Sequence, residues 1–336
     1  MLREVTFAAG KATVAVRLTT PLCPSREQIR AAVEAFAKGV PGVSGVEVVF
    51  SAEVARKAGP APERLPTVRN IIAVAAGKGG VGKSTVTTNL AAALSLGGSR
   101  VGILDADVFG PSIPQMMGEP ETTAEIRDQH TIVPGTYYGI KVLSVGFFVE
   151  RGAAVIWRGP MIHKLLTQFV EDVEWGELDY LVVDLPPGTG DTQLSLSQLV
   201  PVTGAVMVTT PQEVSVIDVE KALAMCKKVE VPVLGIIENM SYFACPQCGH
   251  HEEIFARGGG RRLAERENLP FLGEIPMLSA IRSGGDAGMP IVLSAPDSDV
   301  ARAFRGIAEK IACSLSVRNL PDPGTAKRSS KLSVMK

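Results

Sequence analysis

A glycine-rich run between a strand-like and a helix-like segment constrains the fold of this 336-residue chain more than any other feature. Residues 71–76 are continuously apolar, and residues 84–96 carry apolar side chains at helical spacing. Between them, residues 77–85 read Gly-Lys-Gly-Gly-Val-Gly-Lys-Ser-Thr and match the pattern G-x-x-x-x-G-K-[ST] in its strand–loop–helix context. This arrangement predicts a loop that binds phosphate groups.

The chemistry of the loop suits ATP and magnesium. Glycines let the backbone curl so that its N–H groups point at phosphate oxygens, and the helix N-terminus adds to this attraction. Lys83 would contact the β- and γ-phosphates, and Ser84 would offer its hydroxyl to Mg²⁺. The residues predicted to contact ATP in this loop are Gly77, Lys78, Gly79, Gly80, Val81, Gly82, Lys83, Ser84 and Thr85.

Carboxylates follow two other strand-like runs. Asp184 ends an apolar run, where a carboxylate can hold magnesium through water. The turn-forming residues 185–191 come next and could move with the γ-phosphate. Asp105 and Asp107 end another run, and a carboxylate there could orient the attacking water or cap a helix.

Lys78 is unusual, because an ordinary phosphate loop needs no second lysine at its start. A cation there could reach the γ-phosphate bound by a facing subunit and act as an arginine finger does. That role would make hydrolysis depend on a homodimer, with Lys78, Lys83 and Asp107 as the catalytic residues.

The rest of the chain predicts a doubly wound α/β domain with a mostly parallel sheet over residues 70–316. Apolar runs alternate with helix-like segments such as residues 214–228, a pattern typical of parallel strands buried on both faces. The runs cover residues 71–76, 101–104, 141–145, 180–183, 205–208 and 233–237.

Three further segments flank this domain. Residues 1–52 predict a small α+β unit whose helix has Ser25 as its candidate N-cap. Residues 53–69 contain three prolines and predict a semi-rigid linker. Residues 317–336 are polar and lack periodicity, which predicts a disordered tail.

Composition favours a cytoplasmic protein that binds neither nucleic acid nor membrane. The net charge is −1, so no overall field attracts polyanions. No apolar run approaches the roughly 18 residues that span a bilayer, and no secretory signal pattern opens the chain. Five cysteines in a chain of this length suit a reducing compartment. Two of them, Cys226 and Cys313, lie in helix-like segments and are expected in the core.

Cys245 and Cys248 form a C-x-x-C pair that is followed by His250 and His251. Thiolates at this spacing can clasp one metal ion, and two subunits would supply four thiolates. Four cysteines suit a [4Fe–4S] cluster or tetrahedral zinc. Zinc with one of the histidines, a redox pair and a metal-free turn remain alternatives.

Residues 78–84 resemble the deviant Walker A motif of the MinD/ParA/nitrogenase iron protein class of P-loop NTPases. Within that class, the chain closely resembles the Mrp-type (ApbC-like) iron–sulfur cluster carriers over about residues 65–310. The supporting stretches are residues 104–112, 157–161, 184–191, 238–243 and 272–276.

The resemblance implies a role for each matching residue. Lys78 would be the signature lysine that acts in trans, and Asp107 the water-orienting residue of switch I. Asp184 would be the magnesium-linked residue at the start of switch II. Asn239, expected just after the strand at residues 233–237, would bind adenine, whose N6 donor and N7 acceptor match an amide.

The resemblance also implies the function. A homodimer would bind a labile [4Fe–4S] cluster on Cys245 and Cys248, receive it from an upstream assembly scaffold, and transfer it to apo-proteins with slow ATP hydrolysis. A zinc-stabilised nucleotide switch is one alternative, and an electron-transfer ATPase like the nitrogenase iron protein is another, although that class ligates its cluster with widely separated cysteines. A positioning ATPase acting on membrane or DNA is the third, but residues 319–324 contain two prolines and predict no amphipathic anchor helix.

The N-terminal unit resembles the MIP18-like domain that often precedes these ATPases. The resemblance rests on residues 19–24, the helix after them, and residues 41–48. It is partial, because that domain usually begins with a helix and an Asp-Pro-Glu stretch that this sequence does not contain before its first strand. Cys23 is either a cluster or partner contact or a small buried residue.

Overall fold

The computed structural model describes residues 1–56, 62–128, 131–148, 159–188 and 199–320. Predictions that concern residues 57–61, 157–158, 189–191 and 321–336 lie outside these ranges. The chain divides into two compact units. One comprises Met1–Pro60 with Ala312–Lys336, and the other comprises Ala61–Ile311.

The N-terminal unit is a three-stranded sheet with one helix. Its elements are β1 (Leu2–Ala8), β2 (Lys11–Leu18), α1 (Arg26–Lys38) and β3 (Gly45–Ala52). β1 and β2 form an antiparallel hairpin, and β3 pairs parallel to β2 after the α1 crossover. Alternate residues of β2 are buried and form a small core with Val48, against which Ile29 and Val33 of α1 pack.

Two local features of this unit differ from the sequence prediction. β1 was not predicted, and every one of its residues is exposed. Ser25 stands at the N-cap position of α1 as predicted, but its side chain makes no cap hydrogen bond. Its backbone, at φ −88° and ψ 11°, is not in the extended conformation that directs an N-cap oxygen toward the first turn.

The large unit is built on a nine-stranded, mostly parallel sheet with the strand order β13-β12-β11-β4-β10-β5-β9-β8, and β14 also pairs with β12. β8 and β13 pair antiparallel to their neighbours. All six predicted apolar runs are strands of this sheet, and the predicted α/β fold class is confirmed. The strands are β4 (Val68–Ala76), β5 (Val101–Asp105), β8 (Gly135–Tyr137), β9 (Ile140–Ser144), β10 (Leu178–Asp184), β11 (Gly204–Thr209), β12 (Val233–Ala244), β13 (His251–Glu252) and β14 (Phe271–Met277), with β6 (Glu125–Arg127) and β7 (Thr131–Val133) forming a separate hairpin.

Eight α-helices follow α1 in the described ranges. They are α2 (Lys83–Leu96), α3 (Ile113–Met117), α4 (Gly159–Glu171), α5 (Glu213–Lys228), α6 (Gly259–Arg266), α7 (Ser279–Asp286), α8 (Ile291–Ser294) and α9 (Asp299–Asn319), and a short 3-10 helix covers Val145–Phe147. Among the described residues, no helix combines the length and apolarity that a membrane span requires.

The C-terminal helix corrects a predicted boundary. α9 continues to Asn319, so the first three residues of the predicted tail are helical, and residues from Ala312 onward belong to the N-terminal unit. Ser316 donates a hydrogen bond to Thr19, and the Asn319 amide donates one to the carbonyl of Ala55. These partners are distant in sequence, so the polar composition of the segment did not reveal them.

The register of the central strands brings the ends of β4, β10 and β5 together. Asp184, the last residue of β10, pairs with Val74 of β4 on one side and with Asp105 of β5 on the other. The carboxyl ends of these parallel strands therefore place two acidic side chains beside the loop that follows β4.

Candidate functional site

The glycine-rich loop joins the end of β4 to the start of α2 in the predicted strand–loop–helix arrangement. Gly82 has φ +82°, a left-handed conformation that side chains disfavour. A Cβ atom on Gly82 would lie 2.2 Å from Nδ2 of Asn239, and one on Gly77 would lie 2.3 Å from the backbone carbon of Asp218. The structure thus requires glycine at both positions.

Asp184 is the centre of the site and is fully buried. Its Oδ2 accepts hydrogen bonds from Nζ of Lys83 and from the hydroxyl of Ser84, both at 2.6 Å. Its Oδ1 accepts one from the hydroxyl of Thr87, also at 2.6 Å. The Asp184 carboxylate and the Ser84 hydroxyl are hard oxygen ligands beside the phosphate loop, so the residues present fit Mg²⁺.

Thr87 was missed by the sequence analysis. It lies four residues after Lys83, one helical turn further along α2, and its hydroxyl also contacts the Lys83 carbonyl. Helical spacing from the lysine is the signal that could have identified it.

Asp105 and Asp107 take different positions. Asp105 is fully buried, and its carboxylate accepts hydrogen bonds from the backbone N–H of Asp107, the backbone N–H of Ile113 and the hydroxyl of Ser144. Of the two roles left open for Asp105, these contacts favour the structural one, since they shape the loop and cap α3. Asp107 lies on that loop, and its Oδ2 is 3.5 Å from Nζ of Lys83.

Burial raises the pKa of both carboxyl groups. The pKa of Asp105 rises to about 8, because burial disfavours its charge and Asp184 lies nearby. Burial is also the main cause of the raised pKa of Asp107, and the Lys83 ammonium opposes it. A raised pKa makes the Asp107 carboxylate a stronger base than an exposed aspartate.

We expect Asp105 to make the nucleotide-free protein less stable at higher pH. Its folded pKa of about 8 lies above the ordinary aspartate pKa of 3.8, so the folded state binds more protons between these values. The free energy of unfolding therefore falls as pH rises through this window, by at most about 1.4 kcal/mol per pH unit. In denaturant titrations without magnesium from about pH 5 to about pH 8, Asp105→Asn should remove this slope. Asp299→Asn, at an exposed carboxylate, is the control, and an unchanged slope in Asp105→Asn would contradict the prediction.

Lys78 stands apart from the Asp184 cluster in the described ranges. Its Nζ lies 3.5 Å from Oε1 of Gln212, the residue that precedes α5, and the side chain is half-buried. Lys78 therefore lies at the edge of the phosphate loop, whereas the side chain of Lys83 is buried.

A cavity of about 300 Å³ adjoins the loop. Asn239 lines this cavity, and its Nδ2 donates a hydrogen bond of 2.8 Å to the carbonyl of Val81. The other lining residues come from α2, α3, β12, β14 and α7 and the segments beside them, and they are Gly82, Thr85, Ser112, Gln115, Met116, Met240, Pro276, Met277, Leu278, Ile281, Arg282, Gly285 and Asp286.

The predicted position of Asn239 relative to its strand is wrong. Asn239 lies within β12, which runs to Ala244, seven residues past the end of the apolar run. The strand continues because Asn239 pairs with Ile275 of β14 and because Glu238 has partners of its own. A prediction based on apolar runs ends the strand at the first polar residue, even where that residue has buried partners in the fold.

The cysteine pair forms the tip of a hairpin that begins where β12 ends. The N–H of Cys245 donates to the carbonyl of His250 at 2.8 Å, and the N–H of Gly249 donates to the carbonyl of Cys245 at 2.9 Å. Cys245 is half-buried and Cys248 is exposed. The backbone N–H groups of Cys248 and Gln247 lower the pKa of the Cys245 thiol, which favours the thiolate that binds metals.

The neighbouring histidines have other contacts. Nε2 of His250 lies 3.4 Å from a carboxylate oxygen of Glu252, and the ring of His251 lies 4.5 Å from that of Tyr242. In the described part of the chain, no three His, Cys, Asp or Glu side chains come together as a possible metal site. The histidines therefore do not complete a ligand set with the cysteines within these ranges.

The remaining cysteines lie elsewhere. Cys226 is buried on α5, as predicted, and burial raises its pKa to about 11. Cys313 is half-buried on α9, less enclosed than predicted. Cys23 is half-buried and packs against the core of the N-terminal unit, which favours the packing alternative for this residue.

Comparison with known proteins identifies the family. The family described as NUBPL iron-transfer P-loop NTPase matches residues 67–312. The chain belongs to this family. A second family, described as iron–sulfur cluster assembly protein, matches residues 1–48 of this P-loop NTPase. The predicted family resemblance is confirmed in both parts of the chain.

Similar proteins agree with this assignment. The P-loop NTPase is 47% identical over 322 residues to the iron–sulfur cluster carrier protein of Deinococcus radiodurans, covering 96% of this chain and 91% of that protein. A nucleotide-binding protein from Archaeoglobus fulgidus, solved with ADP, is 40% identical with a TM-score of 0.63, covering 73% of this chain and 96% of that one. The cell division ATPase MinD of Pyrococcus furiosus, at 24% identity and a TM-score of 0.52, covers 72% and 98% and shares the fold.

Proposed function

We propose that this P-loop NTPase is an ATP-hydrolysing carrier that binds a labile [4Fe–4S] cluster between two subunits and transfers it to apo-proteins. One observation carries the proposal: strand β12 holds Asn239 in the cavity beside the phosphate loop and leads directly into the Cys245–Cys248 hairpin. The carrier name of the Deinococcus radiodurans relative supports this function.

A homodimer supplies the ligands that one chain lacks. Each hairpin offers two thiols, and among the described residues no third metal ligand joins them. A [4Fe–4S] cluster takes four cysteine thiolates, so two hairpins make one complete set. Cys248 is exposed, which suits both contact with a second hairpin and later access by a recipient protein.

The residues around Asp184 suit hydrolysis of ATP. Lys83 would exchange its hydrogen bond with Asp184 for bonds to phosphate oxygens, and Asp107 would orient the attacking water. Mg²⁺, when bound, neutralises charge on the β- and γ-phosphates, and Ser84 and Asp184 would hold it. Lys78 would reach the γ-phosphate in the partner subunit and so make turnover depend on dimer closure.

Asn239 suits adenine better than guanine. Its Nδ2 already donates to the Val81 carbonyl, so the free oxygen of the amide is an acceptor. Adenine presents the N6 donor to such an acceptor, whereas guanine presents the O6 acceptor.

We therefore expect Asn239→Ala to lower the preference for ATP over GTP by about fivefold or more, since a polar contact that discriminates bases is worth about 1–3 kcal/mol. Calorimetric titration with both nucleotides measures it. Asn70→Ala is the matched control, because Asn70 is a buried amide that also donates to a backbone carbonyl, at Asp179. Equal loss of preference in both variants, or in neither, would contradict the assignment.

Anaerobic reconstitution with iron and sulfide tests the carrier function. The wild-type protein should turn brown, with about four irons and four sulfides per dimer, and should transfer them to an apo-ferredoxin. Stoichiometric zinc without a visible chromophore would contradict the proposal and favour a zinc-stabilised nucleotide switch.

A further inference from the structure

Strand β12 has an irregular backbone at Met240, and this position is called the joint below. Met240 has φ +55°, in the left-handed region that costs a side-chain-bearing residue roughly 1–2 kcal/mol. The pairing of β12 with β14 is also irregular here. Asn239 pairs with Ile275 and Phe243 pairs with Met277, so three residues of β12 lie opposite a single residue of β14. The extra residues form a bulge, which bends a strand and re-aims the residues after it.

The side chain of Met240 lines the cavity beside the phosphate loop, which is called the nucleotide cavity below. A Cβ atom on Gly82 of the phosphate loop would lie 3.8 Å from the terminal methyl of Met240. A base that enters this cavity must therefore pack against the thioether or displace it. The preceding residue, Asn239, is held to the loop through Val81.

The strand is anchored before the joint. Glu238 is fully buried and accepts hydrogen bonds from the backbone N–H groups of Gly258 and Gly260, at 2.9 Å and 2.6 Å. Glu238 also accepts a hydrogen bond of 2.6 Å from the hydroxyl of Ser241, which bridges the joint.

The hairpin beyond the joint packs on itself and, through Arg257 and Glu274, on β14. The guanidinium of Arg257 lies 4.6 Å from the centre of the Tyr242 ring and forms an ion pair with Glu274. The ring of His251, across the hairpin, lies 4.5 Å from the Tyr242 ring. Because the Tyr242 and His251 rings join its two strands, a backbone change at Met240 would shift both strands and the cysteines at their tip together.

We propose that Met240 is a positioning residue that couples occupancy of the nucleotide cavity to the position of the Cys245–Cys248 hairpin. The Met240 backbone has two conformations, the strained left-handed one and a relaxed extended one, and each gives the hairpin a different position. A base in the cavity contacts Met240 differently in the two arrangements and shifts the population between them. This inference rests on the proposed function, in that the cavity binds the base and the cysteines bind the cluster.

Alkylation of the cysteines tests the coupling in the full-length, cluster-free protein. The rates at which iodoacetamide modifies Cys245 and Cys248 are measured by peptide mass spectrometry with and without saturating Mg-ADP, and buried Cys226 is the internal reference. In the wild type, nucleotide should change these rates by about fivefold or more, the lower end of common coupling between sites.

Two variants of Met240 and one matched control test whether the coupling depends on this residue. Met240→Gly removes both the side chain and the backbone strain, and Met240→Ala removes the side chain while keeping the strain. Met277→Ala removes a thioether from the same cavity, but on β14, which does not lead to the cysteines. At ADP concentrations that calorimetry shows to be saturating for each variant, both Met240 variants should lose most of the rate change, whereas Met277→Ala should retain it.

Three outcomes would overturn the inference: a retained rate change in either Met240 variant, an equal loss in Met277→Ala, or unchanged rates in wild-type protein that demonstrably binds ADP. In each of these cases the wild-type protein could still assemble and transfer a cluster. Failure of the proposed function is recognised separately, by the absence of nucleotide binding in calorimetry or of iron after reconstitution.

Discussion

Replacing both Cys245 and Cys248 with alanine is expected to abolish iron and sulfide binding. Reconstituted wild-type protein should hold about four irons per dimer, and the double variant should hold only background iron because it offers no thiolate at the hairpin. Iron and sulfide analysis of the gel-filtered protein, together with its visible absorbance, measures the loss.

The double substitution should leave the fold and ATP hydrolysis nearly intact. Cys248 is exposed and Cys245 is half-buried, so little packing is lost. The turn is held by backbone hydrogen bonds between Cys245 and His250 and between Gly249 and Cys245, which alanine preserves. Loss of iron can therefore be separated from unfolding.

Single substitutions at the other cysteines are the matched controls. Cys226→Ala and Cys313→Ala each remove a thiol from a helix and should retain the chromophore. Cys23→Ala tests the N-terminal unit in the same way. A double hairpin variant as brown as the wild type would show that other residues ligate the iron, and the carrier function would then lose its structural basis.

Replacing Asp184 with asparagine is expected to lower ATP turnover by about 10²–10³-fold. Three side chains converge on this carboxylate, Lys83 and Ser84 on one oxygen and Thr87 on the other. Asparagine keeps the shape but removes the charge that would hold magnesium and orient the lysine, and the loss of such charge stabilisation in a buried site has this magnitude. Steady-state phosphate release with magnesium measures the effect.

Stability must be measured alongside, because Asp184→Asn leaves buried Lys83 without its closest counter-charge. Removing one partner of a buried ion pair commonly costs about 3–5 kcal/mol, so turnover should be measured well below the unfolding midpoint. Asp179→Asn is the matched control at the opposite end of β10, where Asp179 pairs with Arg100. Asp179→Asn should lower the free energy of unfolding without lowering ATP turnover. ATP turnover near the wild-type rate in Asp184→Asn would refute the role assigned to Asp184.

Local sequence signals predicted much of the fold and the site. The glycine pattern was informative because it stands between an apolar run and a helical segment, and close contacts require glycine at positions 77 and 82. The six apolar runs became strands, since a continuous apolar run of that length suits a strand buried on both faces. Asp184 was found because it directly follows such a run, and the cysteine pair was found by its C-x-x-C spacing.

Other features depended on partners that are distant in the chain. Thr87 is part of the site because its hydroxyl donates a hydrogen bond to Asp184. Glu238 is buried because the backbone N–H groups of Gly258 and Gly260 donate hydrogen bonds to its carboxylate. The helical end of α9 depends on hydrogen bonds with Thr19 and Ala55 of the N-terminal unit. No local pattern reports such contacts, because each side chain alone is an ordinary polar residue.

The phosphate loop, the α/β class and the paired cysteines follow from the sequence alone, since each is a property of neighbouring residues with a fixed spacing. The folded chain was needed to see that strand β12 holds the cavity residue Asn239 and leads into the cysteine hairpin, and that Met240 between them has a left-handed backbone. Strand pairing and burial set these features, and both arise from contacts between segments that meet only when the chain folds.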